Sequence, residues 1–176
     1  MNGDPSRPVP LTELGREEAR MLGREAAGLD LDVCLHTRFG RTRETAEIAM
    51  AGRDVPLELD QLLDDVDVGA LEGQTVDEYR AWKLEHTRDD AFPEGESLND
   101  AARRYAEAFR RLAGSDRGSV LAVCHEIPIR YALNALAGSD ELDGPAHEIP
   151  NATPFLFGED ALARAAERIE ELARLS

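Results

Sequence analysis

The stretch SVLAVCHEIPIR, residues 119–130, decides the reading of this chain. Ser119 to Cys124 is a continuous apolar run after a turn, the pattern of a strand covered on both faces. A helix follows from about Pro128, with Ile129, Leu133 and Leu136 on one side and Gly138 as its stop. His125 therefore sits between a buried strand and the start of a helix. In open α/β sheets, ligands bind outside the carboxyl ends of the strands. The free N–H groups of the next helix face an anion at the same place. A histidine there is well placed to bind or protonate a phosphate. The plainer alternative is a loop histidine with no ligand.

The same alternation extends in both directions. Met1 to Pro10 is rich in Pro, Gly, Asp and Ser and reads as loop. Thr12 is a predicted N-cap, with Glu13 in the first turn where the helix dipole favours it. Leu14, Met21, Leu22 and Ala26 are expected on one side of that helix, which ends near Gly28. Leu31 to Leu35 reads as a buried strand, Arg41 to Ala51 as a helix closed by Gly52, and Val55 to Leu59 as a short strand. Asp64 to Gly73 is an acidic, glycine-rich loop, and Thr75 to about Arg88 is helical. Pro93 to Gly95 breaks the chain, and Ser97 caps a helix with Asp100 three residues on. Leu98, Ala102, Tyr105, Phe109 and Leu112 form its buried stripe. Thr153 to Phe157 reads as a strand, and Asp160 to Leu175 as a final amphipathic helix through Leu162, Ala166, Ile169 and Leu172. Strands alternating with helices predict an α/β domain of three layers.

Composition narrows the function. With 176 residues the chain suits one α/β domain and can bury a core without a metal or disulfide. Its net charge of −16 argues against nucleic acid and anionic membrane as partners, because both need a basic footprint. A phosphorylated small molecule remains compatible, since two or three local cations can hold a phosphate within a screened surface. Cys34 and Cys124 lie in apolar runs and read as reduced core thiols. With no signal peptide and no apolar run near ~18 residues, a cytoplasmic location is expected.

Three groups of residues could do chemistry. His125 is the first. Arg41, in HTRFGRTRETAEIA after the Leu31–Leu35 strand, offers a planar fork suited to phosphate oxygens. Arg38 and Arg43 lie close by, so a solvated surface arginine is the competing reading. The loop DDVDVGALEG supplies Asp64, Asp65, Asp67 and Glu72 as possible general acids. His36 closes a strand and is the only other histidine placed like a nucleophile. His36, His86 and His147 show no metal-binding spacing, so no metal and no cofactor is expected.

Read together, these segments resemble one family, the histidine phosphatases of phosphoglycerate-mutase-like fold. PLTELGREEA (10–19) resembles that family's Pro-Leu-Thr-Glu-x-Gly-x-x-Gln-Ala segment, and TRFGRTRETA (37–46) its Ser-x-x-x-Arg-Ala-x-x-Thr-Ala segment. LDDVDVGALEG (63–73) resembles the Leu-x-Glu-x-x-x-Gly-x-x-Glu-Gly loop. PEGES (93–97) resembles Pro-Gly-Gly-Glu-Ser, and VLAVCHEIPIR (120–130) the strand that ends in His-Gly. IPNATPFLF fits the family's last strand. The resemblance implies a three-layer α/β/α fold, with Arg41 and His125 binding phosphate and His125 and Asp65 taking part in catalysis. The implied reaction is phosphomonoester hydrolysis or phosphoryl transfer through a phosphohistidine, without a metal.

The chain departs from the pattern in three places. No Arg-His-Gly occurs in the 176 residues. The resemblance puts that motif, which carries the nucleophile, on a first central strand upstream of PVPLTELG. Residues 1–176 are thus expected to form one N-terminally incomplete domain, inactive as it stands. Strands 31–35 and 119–124 are both expected to lose a neighbour, so the chain should be poorly stable or fill the gap with another segment or a second copy, as in a homodimer. The alternatives are an enzyme whose true start lies upstream, with Met1 internal, and a pseudophosphatase that binds a phosphorylated ligand or a protein partner. Second, Asp65 stands where the family often has Glu, one methylene longer. Third, Glu126 replaces Gly after His125, and is expected to turn away from phosphate or pair with His125.

Overall fold

The computed structural model describes residues 4–146 and 148–175. Met1 and His147 lie outside them. Three parallel strands, β1 (Val33–His36), β2 (Leu57–Leu59) and β3 (Val120–Val123), form a sheet in the order β2-β1-β3. Cys34 pairs with Leu57 on one side and Leu121 on the other. Helices α1 (Glu13–Glu25) and α2 (Gly40–Ala49) cover one face. Their Leu22, Ala46 and Ala49 pack with Cys34, Leu121 and Val123. The other face, through Ala122 and Cys124, meets the larger core built by α4 (Leu98–Ala113), α5 (Glu126–Leu136) and α6 (Glu159–Leu175). The alternation of Leu121/Val123 with Ala122/Cys124 is what makes three layers, because successive strand residues point to opposite faces.

The predicted caps are present. Thr12 accepts the Gly15 N–H at 3.1 Å, and Ser97 forms a reciprocal capping box with Asp100. Thr75 does the same with Glu78 at the start of α3 (Val76–Glu85). The stripe on α1 differs from expectation. Ala19, Leu22 and Ala26 are its buried positions, while Leu14 is 69% and Met21 48% exposed. The cause is the approach of α2: a Cβ on Gly23 would lie 2.6 Å from the Ala49 carbonyl oxygen, so α1 turns its smallest residues to α2. On α5 the buried positions are Pro128, Tyr131, Ala132, Asn134 and Ala135. Ile129, Leu133 and Leu136 are only half-buried.

Two expectations about the sheet are corrected. The strand read at 31–35 keeps both neighbours, because β1 is the middle strand and pairs directly with β3. The outer edge of β3 alone, of the two, has no partner strand among the described residues. All four residues of β3 are consequently half-buried rather than covered. The strand read at Thr153–Phe157 is also absent. Its period-two pattern survives, with Phe155 and Phe157 half-buried and Leu156 96% exposed. No ladder forms, because a strand needs a partner for its N–H and C=O groups, and Pro154 has no N–H to give.

Candidate active site

The site lies at the carboxyl ends of β1 and β3. His125 is the N-cap of α5, immediately after β3, and is 7% exposed. Arg41, in the first turn of α2, donates from Nη2 to His125 Nδ1 at 3.0 Å and to Asp65 Oδ2 at 2.9 Å. Asp65 Oδ2 is 3.6 Å from His125 Nδ1. Three residues far apart in the sequence thus share one contact cluster. They line a cavity of about 490 Å³ that runs along the open edge of β3 past Leu121 and Val123 to Leu14 and the 149–154 segment. A second cavity of about 380 Å³ also reaches Asp65, bordered by Arg38, Phe39 and Glu94.

The other candidates go elsewhere. Asp64 pairs with Arg38, and its carbonyl accepts from Arg104 and Tyr105. Asp67 Oδ1 accepts the Gly69 N–H, and Glu72 pairs with Arg7 at 3.3 Å while its charge also acts on Arg41. Arg43 pairs with Glu47 on the surface of α2. The Nδ1 of His36 lies against the Thr37 carbonyl, and His36 lines neither cavity. Glu126 turns to Arg130 at 3.2 Å rather than pairing with His125.

Local structure explains why Asp65 is the acid that reaches the site. Arg104 of α4 donates to the carbonyls of Leu62, Asp64 and Asp65, clamping the loop from behind. In front, the loop interlocks with PEGES. A Cβ on Gly69 would collide with the Pro93 carbonyl oxygen, and one on Gly95 with the Asp67 carbonyl oxygen. Glu94, between them, is held at φ 63°, a conformation that favours glycine. Its position is where the family's segment carries Gly.

The electrostatics separate the roles. Burial, then the nearby Arg41 and Arg104 charges, push His125 down to about 3, so the ring is neutral at pH 7. Burial raises the Asp65 carboxyl above the ordinary range, against the pull of Arg41, the Val66 N–H and Arg104. A carboxyl held up in this way keeps a proton to give at higher pH. Burial pushes the Cys34 and Cys124 thiols up to about 11 and about 12, which makes both poor nucleophiles.

Sequence reasoning missed Thr37, Thr42, Phe39 and Arg104. Thr37 Oγ1 lies 3.0 Å from His125 Nε2, and the Phe39 and imidazole rings form a T-shaped pair with centroids 4.7 Å apart. The only available signal was Thr37 at the Ser position of the arginine segment.

The three-layer α/β fold agrees with comparison to known proteins. The model of the histidine phosphatase superfamily (branch 1) matches residues 5–172, and the chain belongs to that family. A probable phosphoglycerate mutase GpmB of Salmonella arizonae is 28% identical over 137 residues, covering 73% of this chain and 64% of the relative. The chain thus spans just under two-thirds of the length of the curated relatives it matches. Among solved structures, Bacillus stearothermophilus YhfR superposes with a TM-score of 0.68 at 28% identity, over 90% of this chain and 79% of that one. The mycobacterial glucosyl-3-phosphoglycerate phosphatase Rv2419c shares the fold with a TM-score of 0.68 at 20% identity, over 92% and 86% of the two chains.

Proposed function

We propose that residues 1–176 form the phosphate-receiving part of a single-domain, metal-independent phosphomonoesterase. The observation that carries this reading is the convergence of Arg41, His125 and Asp65 within hydrogen-bonding range at the strand ends. In the reaction, an imidazole nitrogen attacks phosphorus as the bond to the leaving oxygen breaks. Asp65 gives its proton to that oxygen. Water, giving a proton back to the Asp65 carboxylate, then attacks the phosphohistidine, releasing phosphate and the free imidazole. Arg41 neutralises charge on the transferring group, and His125 sits beside it as a hydrogen-bonding partner. The nucleophilic histidine is not among the 176 residues in an Arg-His-Gly motif. The open edge of β3 is where a strand carrying it would lie, with its end beside His125.

The second cavity leaves room for the leaving group beyond Asp65. Asp64, Asp67, Glu94 and Glu96 outnumber Arg38 and Arg104 on its walls, which disfavours a carboxylate on that group. This supports a phosphatase over a mutase acting on a sugar acid. Expected partners are therefore phosphorylated small molecules, handled in the cytoplasm.

The test uses p-nitrophenyl phosphate turnover and phosphate binding by calorimetry. The 176-residue chain should bind phosphate through Arg41, which His125 holds through Nδ1, and show no turnover. A form carrying an upstream Arg-His-Gly strand should turn over, and lose at least about 10²-fold in His125→Ala. Turnover by the 176 residues that vanishes in His36→Ala would name another nucleophile. Phosphate binding unchanged in Arg41→Ala would refute the site itself.

A further inference from the structure

The two nitrogens of His125 face different surroundings. Nδ1 meets Arg41 Nη2 at 3.0 Å and Asp65 Oδ2 at 3.6 Å. A guanidinium only donates, so Nδ1 must accept and carries no proton in the neutral ring. The ring proton is then on Nε2, 3.0 Å from Thr37 Oγ1. Thr37 is 1% exposed and Thr42 3%, and their hydroxyl oxygens are 2.8 Å apart. Thr42 Oγ1 lies 2.9 Å from the Phe39 carbonyl, to which it donates.

The direction of this chain is forced at both ends. Arg41 makes Nδ1 an acceptor, so Nε2 donates to Thr37. A carbonyl has no proton, so Thr42 must donate to Phe39, which leaves Thr37 to donate to Thr42. The Thr37 N–H also donates to Thr42 Oγ1 at 3.2 Å, and the Phe39 N–H to Thr37 Oγ1 at 3.4 Å. Each hydroxyl thereby gives one bond and receives two. Turning the imidazole over would leave the Thr37 hydroxyl facing a ring carbon.

We propose that Thr37, backed by Thr42, is a positioning residue that sets the tautomer of His125. It commits the single ring proton to the interior and keeps Nδ1, the nitrogen on the Arg41 and Asp65 side, as an unprotonated acceptor. Arg41 is thereby aimed by two acceptors, the Nδ1 of His125 and the Oδ2 of Asp65. The tautomer stands on geometry alone; its importance for phosphate rests on the function proposed above. The charged groups around the ring are Arg41 on α2, Asp65 on the acidic loop, Arg104 on α4 and Glu126 beside it on α5.

Nitrogen-15 NMR of histidine-labelled protein, with the His125 resonances assigned from a His125→Gln sample, reads the tautomer directly. The wild type should show an unprotonated Nδ1 and a protonated Nε2. Thr37→Val should mix the two tautomers and weaken the binding of inorganic phosphate about tenfold, the loss of roughly one hydrogen bond's worth of ordering. Thr37→Ser should restore both. A merely structural threonine would lower stability without moving the nitrogen shifts. A protonated Nδ1 in the wild type overturns the proposal, and so do unchanged shifts in Thr37→Val. If that variant does not fold, the wild-type spectrum still decides. The predicted tautomer in a protein that binds no phosphate would instead count against the phosphate site.

Discussion

Acid should unfold this protein partly through one histidine. In the unfolded chain His125 takes a proton near pH 6.5; in the folded protein it does so only near pH 3. Above pH 6.5 both states hold the neutral ring and nothing is linked. Below it the unfolded state binds a proton that the folded state refuses, so stability falls as pH falls, until about pH 3. Between pH 7 and pH 5 the loss is about 1.4 kcal/mol per unit over roughly one and a half units, or about 2 kcal/mol. The side chain is only 4% exposed, so solvent screening reduces this little. Urea melts at pH 7 and pH 5, in phosphate-free buffer, should be run on wild type and His125→Gln. At a slope of about 2 kcal/mol per molar, the wild-type midpoint should fall about 1 M further than that of the variant. The chain has 36 acidic residues whose own pH dependence enters both proteins and cancels in the comparison. Equal midpoint shifts in the two proteins would refute the buried neutral ring.

Other predictions concern the loops, the helix contact and the open edge. Glu94→Gly should stabilise the fold by about 1 kcal/mol by removing a side chain from φ 63°, measured as a higher melting temperature. Gly69→Ala should cost about 3 kcal/mol or more and weaken phosphate binding through the displaced Asp65, because the new methyl meets the Pro93 carbonyl at φ 49°. Gly23→Ala, which would stabilise a free helix, should instead destabilise by about 1–3 kcal/mol in urea melts, since its methyl would lie 2.6 Å from the Ala49 carbonyl oxygen. The β3 edge, unpartnered among the described residues, should give concentration-dependent self-association in sedimentation; a monomer whose sedimentation does not change with concentration would contradict it.

The sequence by itself determined most of the elements and put His125 and Arg41 at strand ends. Helix periodicity and caps such as Thr12 and Ser97 are local, so they are legible without the fold. His125 and Arg41 were visible because a strand end followed by a helix start is a local pattern too. Among the acids, the residues of the loop alone could not separate Asp65 from Asp64, Asp67 and Glu72; only the resemblance did so. What separates them physically is tertiary: Arg104 from α4 and the PEGES turn orient the loop so that the Asp65 carboxyl accepts from Arg41. The pairing of β1 with β3, the missing ladder at Thr153–Phe157 and the open β3 edge likewise depend on which strands are neighbours, and a run of apolar residues does not say what lies beside it. Thr37 became visible for the same reason: its hydroxyl matters through a histidine 88 residues away, and only folding brings the two within 3.0 Å.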